Sequence, residues 1–241
     1  TIVSRAMDEI EDASEPFFLW MMFLDPHWPY RPPAQYRGGR GMFERYRANW
    51  RASNLSDSTP SERDTGVLRT LYNGTIRSFD DCLGSIRDEL RSFDPAYVLH
   101  ADHGEAFGEH GRYGHGGSLY EENIRVPFII GNIESRPDVE KPVSLRVIPR
   151  LLTSLCNGET DPSAFTCKRT YAVSERGDIC VRGSGWKYYI GNDDRSRLYN
   201  LHTDPNEQEV METGIESFEN QYRTYLSEIT ELEGATREQI S

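Results

Sequence analysis

Between Val98 and Ile130 the chain reads VLHADHGEAFGEHGRYGHGGSLYEENIRVPFII, and four of the protein's six histidines fall there. Asp102 and His103 are adjacent, and Glu105, Glu109, His110 and His115 follow in one glycine-rich loop. A hard carboxylate beside an imidazole suits a divalent cation, although two such ligands do not choose the ion. A second polar group, Asp25-Pro26-His27, closes the apolar run Phe17–Leu24. Imidazole titrates near neutrality, so histidines at such positions can hold a proton or deliver it to a departing oxygen. A zinc cluster of His100, His103, His110 and His115 is the competing reading. Against it, His100 precedes Asp102 on a β-prone run that turns it away, and His110 suits a glycine turn.

These residues need strands that end where the chemistry is. In open α/β sheets, ligands gather at the carboxyl ends of strands. Phe17–Leu24 is a continuous apolar run bounded by Pro16 and Asp25-Pro26, which predicts a strand buried on both faces. Ala96–His100 and Val126–Ile130 predict two more strands. Ser4–Ala13 reads as the end of an acidic helix. Residues 61–93 carry Val67, Leu68, Leu71, Ile76, Phe79, Leu83, Ile86 and Leu90 near helical spacing, after an N-cap signal in TPSER. Gly74 or Gly84 is a candidate kink in that helix. Pro29–Pro60, rich in Pro, Gly, Arg and aromatics, shows no periodicity and predicts a long loop. Leu145–Leu155 has helical spacing. From about Thr166 the sequence alternates and turns at glycines, which predicts antiparallel hairpins, followed by an acidic helix over Ile215–Leu232. The expected class is α/β, with residues 1–165 as one domain and residues 166–241 as a small antiparallel subdomain with a terminal helix.

Composition restricts the partners. The 241 residues carry a net charge of −12, so the bulk surface repels nucleic-acid phosphates and anionic membranes. An anionic substrate then needs a local positive site, such as a metal ion. Only 3 of the 27 basic residues are lysines, and this acid-rich, lysine-poor balance suits a salt-rich medium. The longest apolar run, Pro16–Leu24, is too short to span a bilayer. Cys82, Cys156, Cys167 and Cys180 lack metal-binding or framework spacing; Cys82 is expected in the core and the others as free thiols. A Cys156–Cys167 bridge stays open as an alternative.

Three segments, FFLWMMFLDPHWPYRPP, ADHGEAFGEHGRYGHGGSLYEENIRVPFII and VRGSGWKYYIGNDDRSRLYNLHTDPNEQE, together resemble the sulfatase family of the alkaline phosphatase superfamily. The middle motif is the specific one, the order of all three agrees, and LYNGTIRSFDDCLGSI and SLRVIPRLLTSL add to the resemblance. It covers nearly the whole chain, but as the C-terminal half of a sulfatase. It implies an alkaline-phosphatase-like mixed sheet flanked by helices, with a small C-terminal antiparallel sheet and helix. It also implies roles. Asp102 and His103 match a pair of metal ligands, with calcium the first expectation and magnesium or manganese the alternatives. His27 and His115 match residues that contact the sulfate group and its leaving oxygen, as catalytic and substrate-binding groups. Glu105 and His110 are implied to orient the ligands, and Glu121 and Arg125 to pack the loop.

The family's nucleophile is a Cys or Ser in a C/S-x-P-S-R motif, oxidised to formylglycine, and no such motif occurs here. The formylglycine and further metal carboxylates are therefore expected in an N-terminal part absent from these residues, with Thr1 falling in mid-domain. The expected activity is metal-dependent hydrolysis of a sulfate ester of a small molecule or saccharide. The alternatives are a phosphonate or phosphate mono- or diesterase of the same superfamily, and a catalytically inactive sulfatase-like binding fragment.

Overall fold

The computed structural model describes residues 2–11, 13–55, 59–134, 139–159, 161–193, 195–220 and 222. Its helices are α1 (Ile2–Glu11), α2 (Met42–Ser53), α3 (Glu62–Glu89), α4 (Glu121–Ile124) and α5 (Ile148–Cys156). Its strands are β1 (Tyr97–His100), β2 (Ala106–Phe107), β3 (Tyr113–Gly114), β4 (Phe128–Gly131), β5 (Thr170–Val173), β6 (Ile179–Arg182), β7 (Trp186–Ile190) and β8 (Ser196–Asn200). The fold class is α/β with a small antiparallel sheet, as expected. Among the described residues no helix is long and apolar enough to cross a membrane. The chain divides into two compact units. One comprises the chain through Tyr97 plus Glu105–Gly114; the other comprises Val98–Gly104 and the chain from His115 onward.

The first unit is organised by α3. Its start is fixed by a reciprocal cap: the Ser61 hydroxyl accepts from the Asp64 N–H at 3.3 Å, and the Asp64 carboxylate accepts from the Ser61 N–H at 3.2 Å. The inward stripe of Val67, Leu68 and Leu71 is buried with Tyr30, Ala48 and Phe107. Asp64 is itself fully buried, and Arg47 and Arg51 of α2 bond its two oxygens at 2.9 and 2.6 Å. The helix runs unbroken through both glycines. Gly74 serves close approach instead of a kink: a Cβ there would lie 2.3 Å from the Tyr36 carbonyl oxygen.

Two expectations for this unit are corrected. The stretch read as a loop, Pro29–Pro60, contains α2. Its Met42, Phe43, Tyr46 and Trp50 are exposed and only Ala48 is buried, so the apolar residues make no inward stripe that a periodicity reading could find. Phe17–Leu24 is not a strand buried on both faces. It is unpaired backbone, with Phe18, Trp20, Met22 and Leu24 exposed.

In the second unit β1 pairs with β4. The expected hairpins form the sheet β5-β6-β7-β8, antiparallel throughout, with Cys180 opposite Tyr189 and Tyr188 opposite Leu198. The predicted helix at Leu145–Leu155 is α5, preceded by a tight turn at Leu145–Val147. Of the acidic helix predicted over Ile215–Leu232, residues 215–220 and 222 are helical and the remainder lies outside the described residues. All four cysteines are free. The buried thiol is that of Cys180, whereas Cys82, expected in the core, is half-buried.

Candidate active site

Asp102 and His103 lie just beyond the end of β1, where the backbone leaves the pleat. The Asp102 carboxylate is largely exposed, and its Oδ1 accepts the His103 N–H at 3.1 Å. His103 Nδ1 lies 2.8 Å from the Gly104 carbonyl oxygen. A carbonyl can only accept, so Nδ1 carries the proton and Nε2 keeps its lone pair. That lone pair lies 3.8 Å from Asp102 Oδ1. One divalent ion with metal–ligand bonds of about 2.0–2.6 Å spans such a pair, so the donors fit a cation. They fill only part of a shell: among the described residues no group of three metal-ligating side chains occurs. The His115 ring stacks on His103 with centroids 3.8 Å apart and planes 24° from parallel. Three of the predicted site residues, Asp102, His103 and His115, are thus brought together within one unit.

The loop is pinned from behind. The Gly104 N–H donates to the Asn123 carbonyl of α4 at 2.7 Å. A Cβ on Gly104 would lie 2.1 Å from the Glu122 carbonyl oxygen, so only glycine permits this approach. Helix α4 is held by a buried ionic network. The Arg182 guanidinium forks onto the Glu121 carboxylate at 3.0–3.1 Å, and the Lys187 ammonium reaches the same carboxylate at 3.5 Å. Lys187 also pairs with Glu207 at 2.8 Å, and Glu207 accepts the Glu121 N–H at 2.7 Å. Burial would raise the Glu121 pKa, but the Arg182 and Lys187 charges overcome it and hold the carboxyl below its usual range. Burial wins at Glu207 and raises its pKa, with Lys187 opposing. Packing by Glu121 was expected. Lys187, Arg182 and Glu207, up to 86 residues away, had no local signal.

His27, Glu105 and His110 belong to the first unit. His27 is exposed, and its Nδ1 lies 2.5 Å from the Trp28 carbonyl oxygen, which can only accept, so Nδ1 carries a proton. The Glu105 carboxylate hydrogen-bonds Tyr30; burial first, and then this carboxylate, raises the phenol's pKa. His110 sits at φ +49°, in a turn between Gly108 and Gly111. This left-handed backbone is uncommon for a residue with a side chain.

A family model described as Sulfatase matches residues 1–152. The chain belongs to the sulfatase family. This sulfatase is 27% identical over 150 residues to an arylsulfatase of Clostridium perfringens, covering 54% of its own length and 31% of the relative's. It is 25% identical over 212 residues to the uncharacterized sulfatase YidJ of Escherichia coli, covering 80% and 42% of the two chains. It therefore spans less than half the length of these curated relatives. In fold it is similar to the phosphonate monoester hydrolase of Agrobacterium radiobacter, with a TM-score of 0.66 and 18% identity over 96% of this chain and 59% of that one. Ser58-Thr59-Pro60-Ser61 comes nearest to the family's nucleophile motif, but Glu62 stands where its arginine belongs, and Ser61 caps α3.

Proposed function

We propose that this sulfatase contributes the Asp102–His103 half of a metal-dependent site that hydrolyses sulfate esters. The observation that carries the reading is the grouping of Asp102, His103 and His115 at the end of β1, within the segment the family model matches. Asp102 Oδ1 and His103 Nε2 would hold a divalent cation, calcium first, with magnesium or manganese the alternatives. When bound, the cation supplies positive charge against the sulfate oxygens on a chain whose net charge of −12 otherwise repels them. His115, stacked beside the ligand histidine, binds a sulfate oxygen. His27 is assigned to the leaving oxygen: as an imidazolium whose Nδ1–H is held by the Trp28 carbonyl, it delivers its Nε2 proton as the S–O bond breaks and is left as the neutral ring. Glu105 and His110 shape the loop around these groups. The nucleophile, a formylglycine, and the remaining metal carboxylates would come from polypeptide outside these 241 residues. A substrate in the sulfated-saccharide class is consistent with the arginines and aromatics of residues 29–60.

Likeness in fold to a phosphonate monoester hydrolase supports a second reading, hydrolysis of phosphonate or phosphate esters at the same half-site. Titration calorimetry with calcium, magnesium and manganese, together with turnover of an aryl sulfate, tests the proposal. Weak divalent binding abolished by Asp102→Ala and by His103→Ala is expected, with no turnover by these 241 residues alone. Binding unchanged in both variants sinks the metal assignment. Turnover sensitive to His27→Ala would place the nucleophile within this chain.

A further inference from the structure

Asn123, a buried residue of α4, bonds to the chain on both sides of the candidate site. Its backbone carbonyl accepts the Gly104 N–H at 2.7 Å, and its side-chain Oδ1 accepts the Ser118 hydroxyl at 2.9 Å. Gly104 directly follows His103 and takes the His103 Nδ1–H on its own carbonyl at 2.8 Å. Ser118 lies just beyond His115, with Gly116 at φ +88° and Gly117 at φ +71° between them. Two successive glycines in this conformation make a pliable joint, and a Cβ on Gly116 would meet nothing within 4 Å. The His115 ring is nonetheless stacked on His103 at 3.8 Å. Leu119 packs with Cys180, Tyr189 and Tyr199, but apolar contact is non-directional and settles where the segment lies better than how it is turned. A hydrogen bond is directional. Ser118 and Asn123 are 4% and 5% exposed, so neither end can drift without leaving a polar atom buried and unpaired.

We infer that Asn123 is a positioning residue of the half-site. Its carbonyl fixes the metal-ligand turn at Gly104, its side chain fixes the His115 loop at Ser118, and the two bonds together hold the His115 ring against His103. The inference rests on the reading that His103 binds a cation and His115 a sulfate oxygen. A stacked neighbour restricts rotation of the His103 ring, which keeps Nε2 on the side of Asp102 Oδ1, 3.8 Å away. A cation and an anion bound side by side also gain from each other's charge only at a set separation. One residue that bonds both loops therefore governs what the two histidines do jointly. An amide suits the position: it offers the acceptor oxygen that Ser118 needs and stays neutral, whereas an aspartate would place a further carboxylate where burial penalises charge.

Asn123→Ala and Ser118→Ala remove the same bond from opposite ends. Each is expected to move the ring-proton NMR signals of His103 and His115 downfield, because an aromatic ring shields protons that lie over its face. Each should also weaken calcium binding by about 10-fold in titration calorimetry. The double variant should be no worse than either single one, as two partners in one interaction require. Val181→Ala, in the apolar core of the β5–β8 sheet, is the control: it should lower the unfolding midpoint at least as far and leave the ring signals in place. Ring signals that stay in place in both single variants, or that move equally in Val181→Ala, overturn the inference. Losses that add in the double variant overturn it too, since Ser118 and Asn123 then act separately. So does unchanged calcium affinity in a chain whose binding Asp102→Ala abolishes. The ring signals are read without cation or sulfate, so calcium binding that ignores Asp102→Ala sinks the metal reading and leaves the positioning test intact.

Discussion

At the residue scale, the adjacent Asp102 and His103 are useful only if their backbone is held still, and Gly104 does the holding. Gly104→Ala would drive a Cβ to 2.1 Å from the Glu122 carbonyl oxygen, so the loop has to move off α4 and lose the 2.7 Å bond to Asn123. A displacement of this kind should weaken divalent binding by about 10-fold or more while Tm falls only modestly, as calorimetry and thermal melts would show. Affinity left intact would mean that the ligand pair does not depend on this anchor. Asp64 makes a separate case. Burial would raise its pKa, but bonds from Ser61, Arg51 and Arg47 hold it well below the usual carboxylate range. A carboxyl depressed in the folded state stabilises fully above its unfolded value, near 3.9, and loses that contribution as pH falls toward the folded value. Asp64→Asn should therefore cost about 2–3 kcal/mol at pH 7, and the gap to the parent should shrink in denaturant titrations below about pH 4. A gap that does not change with pH would mean that Asp64 acts by packing alone. The histidine pairing shows the limit of reading sequence: His103 and His115 are visible as candidates, but their ring stacking is set by the turns between them and has no spacing rule.

At the scale of elements, what could be read was whatever leaves a local pattern. Helix α3 announces itself through an apolar stripe and a Ser61–Asp64 cap, and the β5–β8 sheet through alternation and glycine turns. Helix α2 does not, because its buried side offers little more than Ala48 while its aromatics face water. Phe17–Leu24 shows the same limit from the other side: a continuous apolar run predicts burial on both faces, whereas Phe18, Trp20, Met22 and Leu24 are exposed. The network behind α4 joins Glu121 to strands β6 and β7 and to Glu207, and such a closure is invisible until the sheet is built. Lys187 is fully buried between two carboxylates. Lys187→Met leaves Glu121 and Glu207 buried without the ammonium, which should cost about 3–5 kcal/mol at pH 8. Protonating those carboxylates relieves the variant, so its deficit should shrink already as pH falls from 8 toward 5, well above the region near pH 4 where the deficit from a lost exposed ion pair would shrink. Melts across that range check this. A deficit that stays constant would mean that the methionine fails sterically and not by stranding charge.

At the scale of the whole molecule, the decisive quantity is charge: 39 acidic against 27 basic residues, a net −12. Many of the ion pairs that stabilise the fold are buried or half-buried, such as Asp64 with Arg47 and Arg51, and Lys187 with Glu207, and salt screens such pairs weakly. The net excess of acidic residues repels itself through water over a screening length of about 10 Å at 0.1 M salt and about 3 Å at 1 M. Raising sodium chloride from 0.05 to 1 M at pH 7.5 should therefore remove much of the self-repulsion and raise Tm by several degrees, roughly 1–2 kcal/mol for a chain this size. The same titration near pH 5.0, the sequence pI, isolates the cause, because the net charge there is close to zero. The salt response should largely vanish at that pH if self-repulsion drives it. An equal rise at both pH values would assign the effect to salt acting on apolar burial, and a fall at pH 7.5 would show that exposed ion pairs outweigh the excess charge.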